Sequence, residues 1–166
     1  MARLSILALC AAAILAAGCG SDSESTTASA APSAATSDGA AQATASARGG
    51  KAVKAIGSSY GKVIADRRGE AFYLFGKDGR GKSRCYGACA RAWPPVITKG
   101  RPRAGKGVKA RLLGTTKRKN GKRQVTYAGH PLYYYVDDSP GNILCQNVSE
   151  FGGLWLVVKP SGRPVT

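Results

Sequence analysis

Cys85 and Cys89 are the side chains of this sequence best placed to do chemistry, and their spacing limits what that chemistry is. Four residues apart on one helical turn, their Cα atoms would lie roughly 6 Å from each other, within disulfide range. As thiolates the same pair would be a redox-active dithiol or a soft Cu(I) site, with Cys145 and His130 as further ligands. The sole methionine is Met1 and no Cys-x-x-Cys-His occurs, so neither a thioether ligand nor a haem attachment site is expected. His130, the single histidine, precedes Pro131 in a turn, and no nucleophile-elbow motif supplies the serine that a Ser-His-Asp reading with Asp78 or Asp138 would need. The two aspartates recur at equivalent places, each followed by turn formers (Gly79; Ser139-Pro140-Gly141), as in a hydrogen-bonded Asx turn. Neither has the acid density of a calcium loop. No catalytic residue, metal ligand or cofactor is expected.

Which fate the thiols meet depends on the compartment, and the start of the chain bears on that. Arg3 precedes an apolar run from Leu4 to Ala17, which ends in Ala16-Ala17-Gly18 just before Cys19. Residues 1–18 read as a signal peptide, and the small residues before Cys19 read as a lipobox, with Ala16 where Leu is usual. Cys19 is then the lipidation site and the first residue of the mature chain, while Cys10 is removed. Acyl chains on Cys19 would anchor the protein to the extracytoplasmic face of a bacterial membrane. Residues 19–50 follow as a linker. Of the 31 residues from Gly20 to Gly50, 25 are Ala, Ser, Thr or Gly, with no aromatic or large aliphatic side chain, so a disordered tether spanning roughly 30 Å is expected. Outside the cytoplasm neighbouring cysteines become disulfides, which favours a Cys85–Cys89 bridge with Cys145 outside it. A Cys145 bridge to Cys85 or Cys89 is the alternative.

Residues 51–166 must fold to position these groups. Gly and Pro punctuate them and no sustained helical period occurs. Short runs rich in Tyr, Val, Phe and Leu predict strands at Lys62–Ala65, Ala71–Phe75, Lys109–Thr115, Arg123–Tyr127, Pro131–Val136 and Leu154–Val158. Tyr86–Trp93 predicts one short helix, stopped by Pro94-Pro95. An internal repeat emerges when Val63–Asp78 is set beside Val125–Asp138. Gly69, Tyr73, Phe75 and Asp78 match Gly129, Tyr133, Tyr135 and Asp138, each sixty residues on, and Cys85 matches Cys145. Trp93 and Trp155 follow. The expected fold is mainly β: a small pseudo-twofold domain of two repeats, at about 62–96 and 123–160, each covering the other's apolar face.

Several of these segments together resemble a known family. They are Tyr73-x-Phe75-x-x-Asp78, Cys85-x-x-x-Cys89-Ala-x-x-Trp93-Pro-Pro95, Gln124-Val-Thr-Tyr127, Gly129-His-Pro-Leu-Tyr133 and Phe151-Gly-Gly-Leu-Trp155. In this order, from about Lys62 to Pro160, the chain is similar to the bacterial lipoproteins called "secreted repeat of unknown function". The resemblance implies a secreted or lipid-anchored β-rich module, and it carries no catalytic residues across. Cys145 stands where members of that family usually carry a small or polar residue.

Charge supplies the remaining signal. Residues 51–166 hold 23 Lys or Arg against six acids, a balance of +17. Five cations, Lys117, Arg118, Lys119, Lys122 and Arg123, crowd an expected hairpin tip. Such a field draws polyanions. Outside the membrane these are anionic lipids or acidic cell-wall polymers, and nucleic acid is not an expected partner. The reading is an extracytoplasmic, lipid-anchored binding or structural module with a cationic surface, rather than an enzyme. The competing one is a thiol redox or copper-handling lipoprotein built on Cys85, Cys89 and Cys145.

Overall fold

The computed structural model describes residues 49–166. The signal segment, Cys19 and the tether up to residue 48 lie outside them. The linker ends sooner than the composition implies: Gly50 is buried, with no room for a Cβ against the carbonyls of Gly100 and Arg101, and Lys51 N–H donates to Thr98 Oγ1.

The domain is mainly β and contains no closed barrel. Strands β1 (Ala52–Ser58) and β2 (Gly61–Asp66) form an antiparallel hairpin, and β5 (Arg103–Ala104) adds to β1 in parallel. Strand β3 (Tyr73–Phe75) pairs with β10 (Gly153–Val157), which also pairs with β9 (Val148–Glu150). Strand β7 (Arg123–Tyr127) lies between β4 (Ile97–Thr98) and β6 (Leu113–Lys117) and also meets β8 (His130–Pro131). No helix among the described residues is long and apolar enough to cross a membrane.

The two repeats are interleaved. In β10 the second repeat's Trp155 stands opposite Phe75 of the first, and Val157 opposite Tyr73. The mirror arrangement sets Pro95 opposite Tyr133, with Tyr134 N–H on Pro94 O and Val136 N–H on Ala92 O. Pro94 and Pro95 have no N–H to give, so this second ladder is only half formed. For that reason the run expected as a strand over Pro131–Val136 is regular only at its start. Tyr73 and Tyr133 exchange backbone hydrogen bonds in both directions, at 2.9 and 3.0 Å, where the repeats meet. Gly81 N–H donates to Gly129 O and Gly141 N–H to Gly69 O. All four of these glycines have positive φ, at two equivalent pairs of positions, so the turns that stitch the repeats together require Gly on both sides.

Alternation along the strands feeds two cores. Tyr73, Phe75, Trp93, Tyr133 and Trp155 face an aromatic core, while Phe72, Leu74, Leu132 and Leu156 face an aliphatic one. Both faces of the central ladder are therefore buried.

Four local expectations need correction. Ala52–Ser58 was not expected as a strand, because its small residues and single fully buried Val53 give a weak pattern. Lys109–Thr115 begins as a 3₁₀ turn, Ala110–Leu112, before β6 starts. The helix α1 is a single turn, Ala88–Ala92, shorter than Tyr86–Trp93, because Gly87 at φ 57° leaves the helical region. Ahead of the Gly69–Asp78 and Gly129–Asp138 stretches, which correspond as expected, the start of the repeat match shifts by one residue: Ile64 in place of Val63 corresponds to Val125, bonding Val158 and Phe72 where Val125 bonds Val96 and Leu132.

Candidate functional site

The equivalent aspartates and tyrosines meet across the pseudo-twofold axis. Tyr73 donates its hydroxyl to Asp138 Oδ2, and Tyr133 donates to Asp78 Oδ2, each at 2.6 Å. The second carboxylate oxygens accept Arg84 N–H (2.7 Å) and Leu144 N–H (2.9 Å), six residues beyond each Asp. The aspartates therefore tie a wide loop and the opposite repeat, in place of the expected Asx turn closing on its own chain. Burial raises the pKa of both carboxyls, and the hydrogen bonds from tyrosine and backbone act against it. Burial, helped by the carboxylate partner, also pushes both tyrosine hydroxyls far above their ordinary value.

Around them the aromatic rings repeat the exchange. The indoles of Trp93 and Trp155 stack at 3.9 Å and 5°. Trp155 stacks on Phe75 and Trp93 leans on Tyr135, each against the other repeat. Both indole N–H groups end on one residue: Trp93 Nε1 on the Glu150 carboxylate (2.6 Å) and Trp155 Nε1 on Glu150 O (3.2 Å). These symmetric contacts explain how the fold holds together.

The two halves differ beside Asp78. Cys85 and Cys89 are joined by a disulfide with their Cα atoms 5.3 Å apart, Cys85 fully buried and Cys89 nearly so. Cys145, the counterpart of Cys85, stands outside that bridge, half-buried against the aromatic core. It shares a hydrogen bond with Tyr135, which raises the Tyr135 hydroxyl pKa. Ser83, whose counterpart is Ile143, hydrogen-bonds the Tyr133 hydroxyl at 2.8 Å.

Arg118 completes the asymmetry, and it does not lie where the hairpin-tip reading put it. It is only 4% exposed. Its guanidinium donates to Ser83 Oγ, Gln124 Oε1 and Cys85 O, and sits 4.5 Å from the Tyr86 ring centroid. A cation so committed cannot meet an external surface. The spacing could have shown this, since Arg118 is the residue next to Lys117, which pairs with Arg123, and so points to the opposite face of the hairpin. Lys117, Lys119, Lys122 and Arg123 are exposed, and Lys119 Nζ lies 5.2 Å from the Tyr86 ring.

A concavity of about 440 Å³ opens beside this network, with Lys77, Arg84 and Lys119 around it and Ser83, Cys89 and Phe151 in its wall. His130 is half-buried elsewhere, its pKa lowered by burial and by the nearby Arg80. Among the described residues no group of three or more His, Cys, Asp or Glu is placed to hold a metal ion.

The family model described as "secreted repeat of unknown function" matches residues 54–97 and 114–159. The two matched stretches coincide with the two interleaved repeats. No curated protein and no solved structure matches the chain.

Proposed function

The chain belongs to the family of secreted repeats of unknown function, and on that footing we propose that it is a lipid-anchored module that binds the anionic surface of the cell envelope. The observation that carries this reading is the state of the charges. Of the 23 Lys and Arg in residues 51–166, 19 are exposed. Among the described residues the ion pairs involve Arg68 alone, with Asp66 and Glu70. Most of the acids are engaged within the domain: Asp78 and Asp138 hold tyrosines, Glu150 holds indoles, and Asp66 accepts the backbone N–H groups of its own turn, while Asp137 stands exposed. The surface field is thus almost unneutralised and draws acidic wall polymers or anionic lipid head groups. Each cation near an anionic membrane contributes about 1 kcal/mol, falling off within a Debye length. The tip cations Lys117, Lys119, Lys122 and Arg123 are the first to touch, and an acylated Cys19 with its tether keeps the domain within reach.

The test uses the full chain with Cys19→Ser, mixed with anionic or neutral vesicles and with acidic polymer at rising salt. Binding is expected with anionic material only, to weaken steeply with salt, and to fall when the four exposed tip cations become Ser. Equal binding by that variant, or none at low salt, refutes the reading. Anchoring is checked separately: intact mass of the wild-type membrane fraction should show a diacylglyceryl adduct on a chain beginning at Cys19.

A further inference from the structure

We propose that the concavity beside the Cys85–Cys89 disulfide is a binding site for one or two hexuronate units of an acidic glycan, with Phe151 as the stacking platform and Lys77, Arg84 and Lys119 as the carboxylate-binding cations. The proposal rests on the envelope-binding reading and gives it a defined ligand. At about 440 Å³ the space falls within the range of small-ligand sites. Three cations border it without a carboxylate among its lining residues. The nearest acids are turned away: Asp78 toward Tyr133 Oη and Arg84 N–H, and Glu150 toward the Trp93 indole. An anion entering the site meets three cations and no lining carboxylate, Arg84 alone being near enough to feel the charge of Asp78.

Phe151 gives the site its chemical preference. It is one of few exposed large hydrophobic side chains, at 40% exposure, and it lines a concavity instead of projecting from the body. It occupies the tip of the β9–β10 hairpin at φ 53°, followed by Gly152 at φ 73°. Turns of this kind favour Asn, Asp or Gly at such a position, and a bulky side chain there is an outlier. The turn is held from below, since Glu150 ties both indoles and Lys77 Nζ reaches Phe151 O at 3.4 Å. Gly153 lies so close over the Phe75 ring that a Cβ would come within 2.5 Å of it. The turn that presents the ring is therefore held in place, in a backbone conformation that costs stability. A pyranose offers a C–H face to stack on such a ring and, as a uronate, a carboxylate at its edge for the cations. A phosphate or a lipid head group would use the cations and leave the ring without a role.

The test is titration of the full chain carrying Cys19→Ser with digalacturonate, followed by NMR of backbone amides at about 0.15 M salt, where the general surface field is screened. Maltose serves as the neutral control and hexathymidylate as an anionic competitor with stacking bases. Saturable binding of digalacturonate is expected, with shifts concentrated at Ser83, Arg84, Cys89 and Phe151, and no binding of maltose. Phe151→Asn suits the left-handed turn, so the variant should melt at or above the parent temperature yet bind digalacturonate about tenfold more weakly. A Lys117→Ser, Lys122→Ser, Arg123→Ser variant, which leaves Lys119 in place, should bind the dimer as the parent does while losing acidic polymer. If the dimer does not bind, if maltose binds equally, if Phe151→Asn binds undiminished, or if hexathymidylate binds more tightly, the site assignment falls. Tip-dependent polymer binding that persists in that case leaves the surface reading intact.

Discussion

Tyr133 carries more than its twin. Its hydroxyl is shared with the side chains of Asp78 and Ser83, whereas that of Tyr73 meets one side chain, Asp138, and the Cys145 backbone. Removing a hydroxyl from a buried network leaves its partners unsatisfied at about 1–3 kcal/mol. Tyr133→Phe should therefore destabilise the domain by that amount and by more than Tyr73→Phe, read from urea midpoints. Arg118 makes the same point more strongly. Arg118→Ala strips the donors from Gln124, Ser83 and the Cys85 carbonyl, and should cost about 3 kcal/mol or more, because several buried acceptors lose a charged donor at once. Lys117→Ala and Lys122→Ala, being exposed, should stay within about 0.5 kcal/mol. The carboxyls predict a pH slope. Burial raises the pKa of Asp78 and Asp138 above the ordinary 3.8, so the folded state holds their protons more tightly than the unfolded one. Their contribution to stability is thus greatest in acid and is lost as pH rises through the raised values. Denaturation midpoints of the Asp78→Asn, Asp138→Asn double variant across the acid range should fall less with rising pH than those of the parent. Part of the slope will persist, because burial raises Glu70 in the same direction.

At the scale of elements, the disulfide closes a loop with a sequence separation of four, tying the segment before α1 to the start of that single helical turn. A loop that short restricts the unfolded chain modestly, so replacing Cys85 and Cys89 with Ala should cost about 2 kcal/mol, with any excess coming from lost packing. Thermal unfolding of the double variant measures it. The elements that sequence reveals most clearly are those whose side chains face opposite sides of the ladder: the Tyr73 strand, the Trp155 strand and strand β7. Short irregular pieces escape it for physical reasons. Strand β1 offers little hydrophobic contrast, and the Tyr133–Val136 run loses its regular ladder to two prolines facing it from the other repeat. The site divides in the same way. Cys85 and Cys89 could be favoured as a pair from spacing and compartment together, and the inward turn of Arg118 from strand alternation, but the Tyr–Asp exchange depends on contacts between residues far apart in sequence, on which a local pattern is silent. The Phe151 turn is marked in the sequence by the adjacent Gly152-Gly153, a turn signal that leaves the conformation of Phe151 itself unspecified.

For the whole molecule the decisive fact is that two of the three sheets among the described residues draw strands from both repeats. Strand β3 of the first repeat finds its partner in β10 of the second, and β4 of the first lies against β7 of the second. The aromatic core draws Phe75 and Trp93 from one repeat and Tyr133 and Trp155 from the other. A tandem array in which each unit is stable alone would unfold in steps. Here either repeat by itself exposes the rings and ladder edges that its partner covers, and a unit of that size buries too little apolar surface to offset its ordering entropy. The domain should therefore unfold as one cooperative transition, with tryptophan fluorescence and far-ultraviolet circular dichroism giving the same midpoint and slope. A chain truncated after residue 112, which retains the first repeat and the disulfide, should show neither the signal of ordered strands nor a cooperative melt. Mixing it with a fragment of residues 113–166 should restore both, because the missing strand partners and ring contacts then come from the second chain. A cooperative melt in the isolated first fragment, or midpoints that separate between the two probes in the full chain, would show that the repeats are independent units and that the exchange across the axis contributes little to stability.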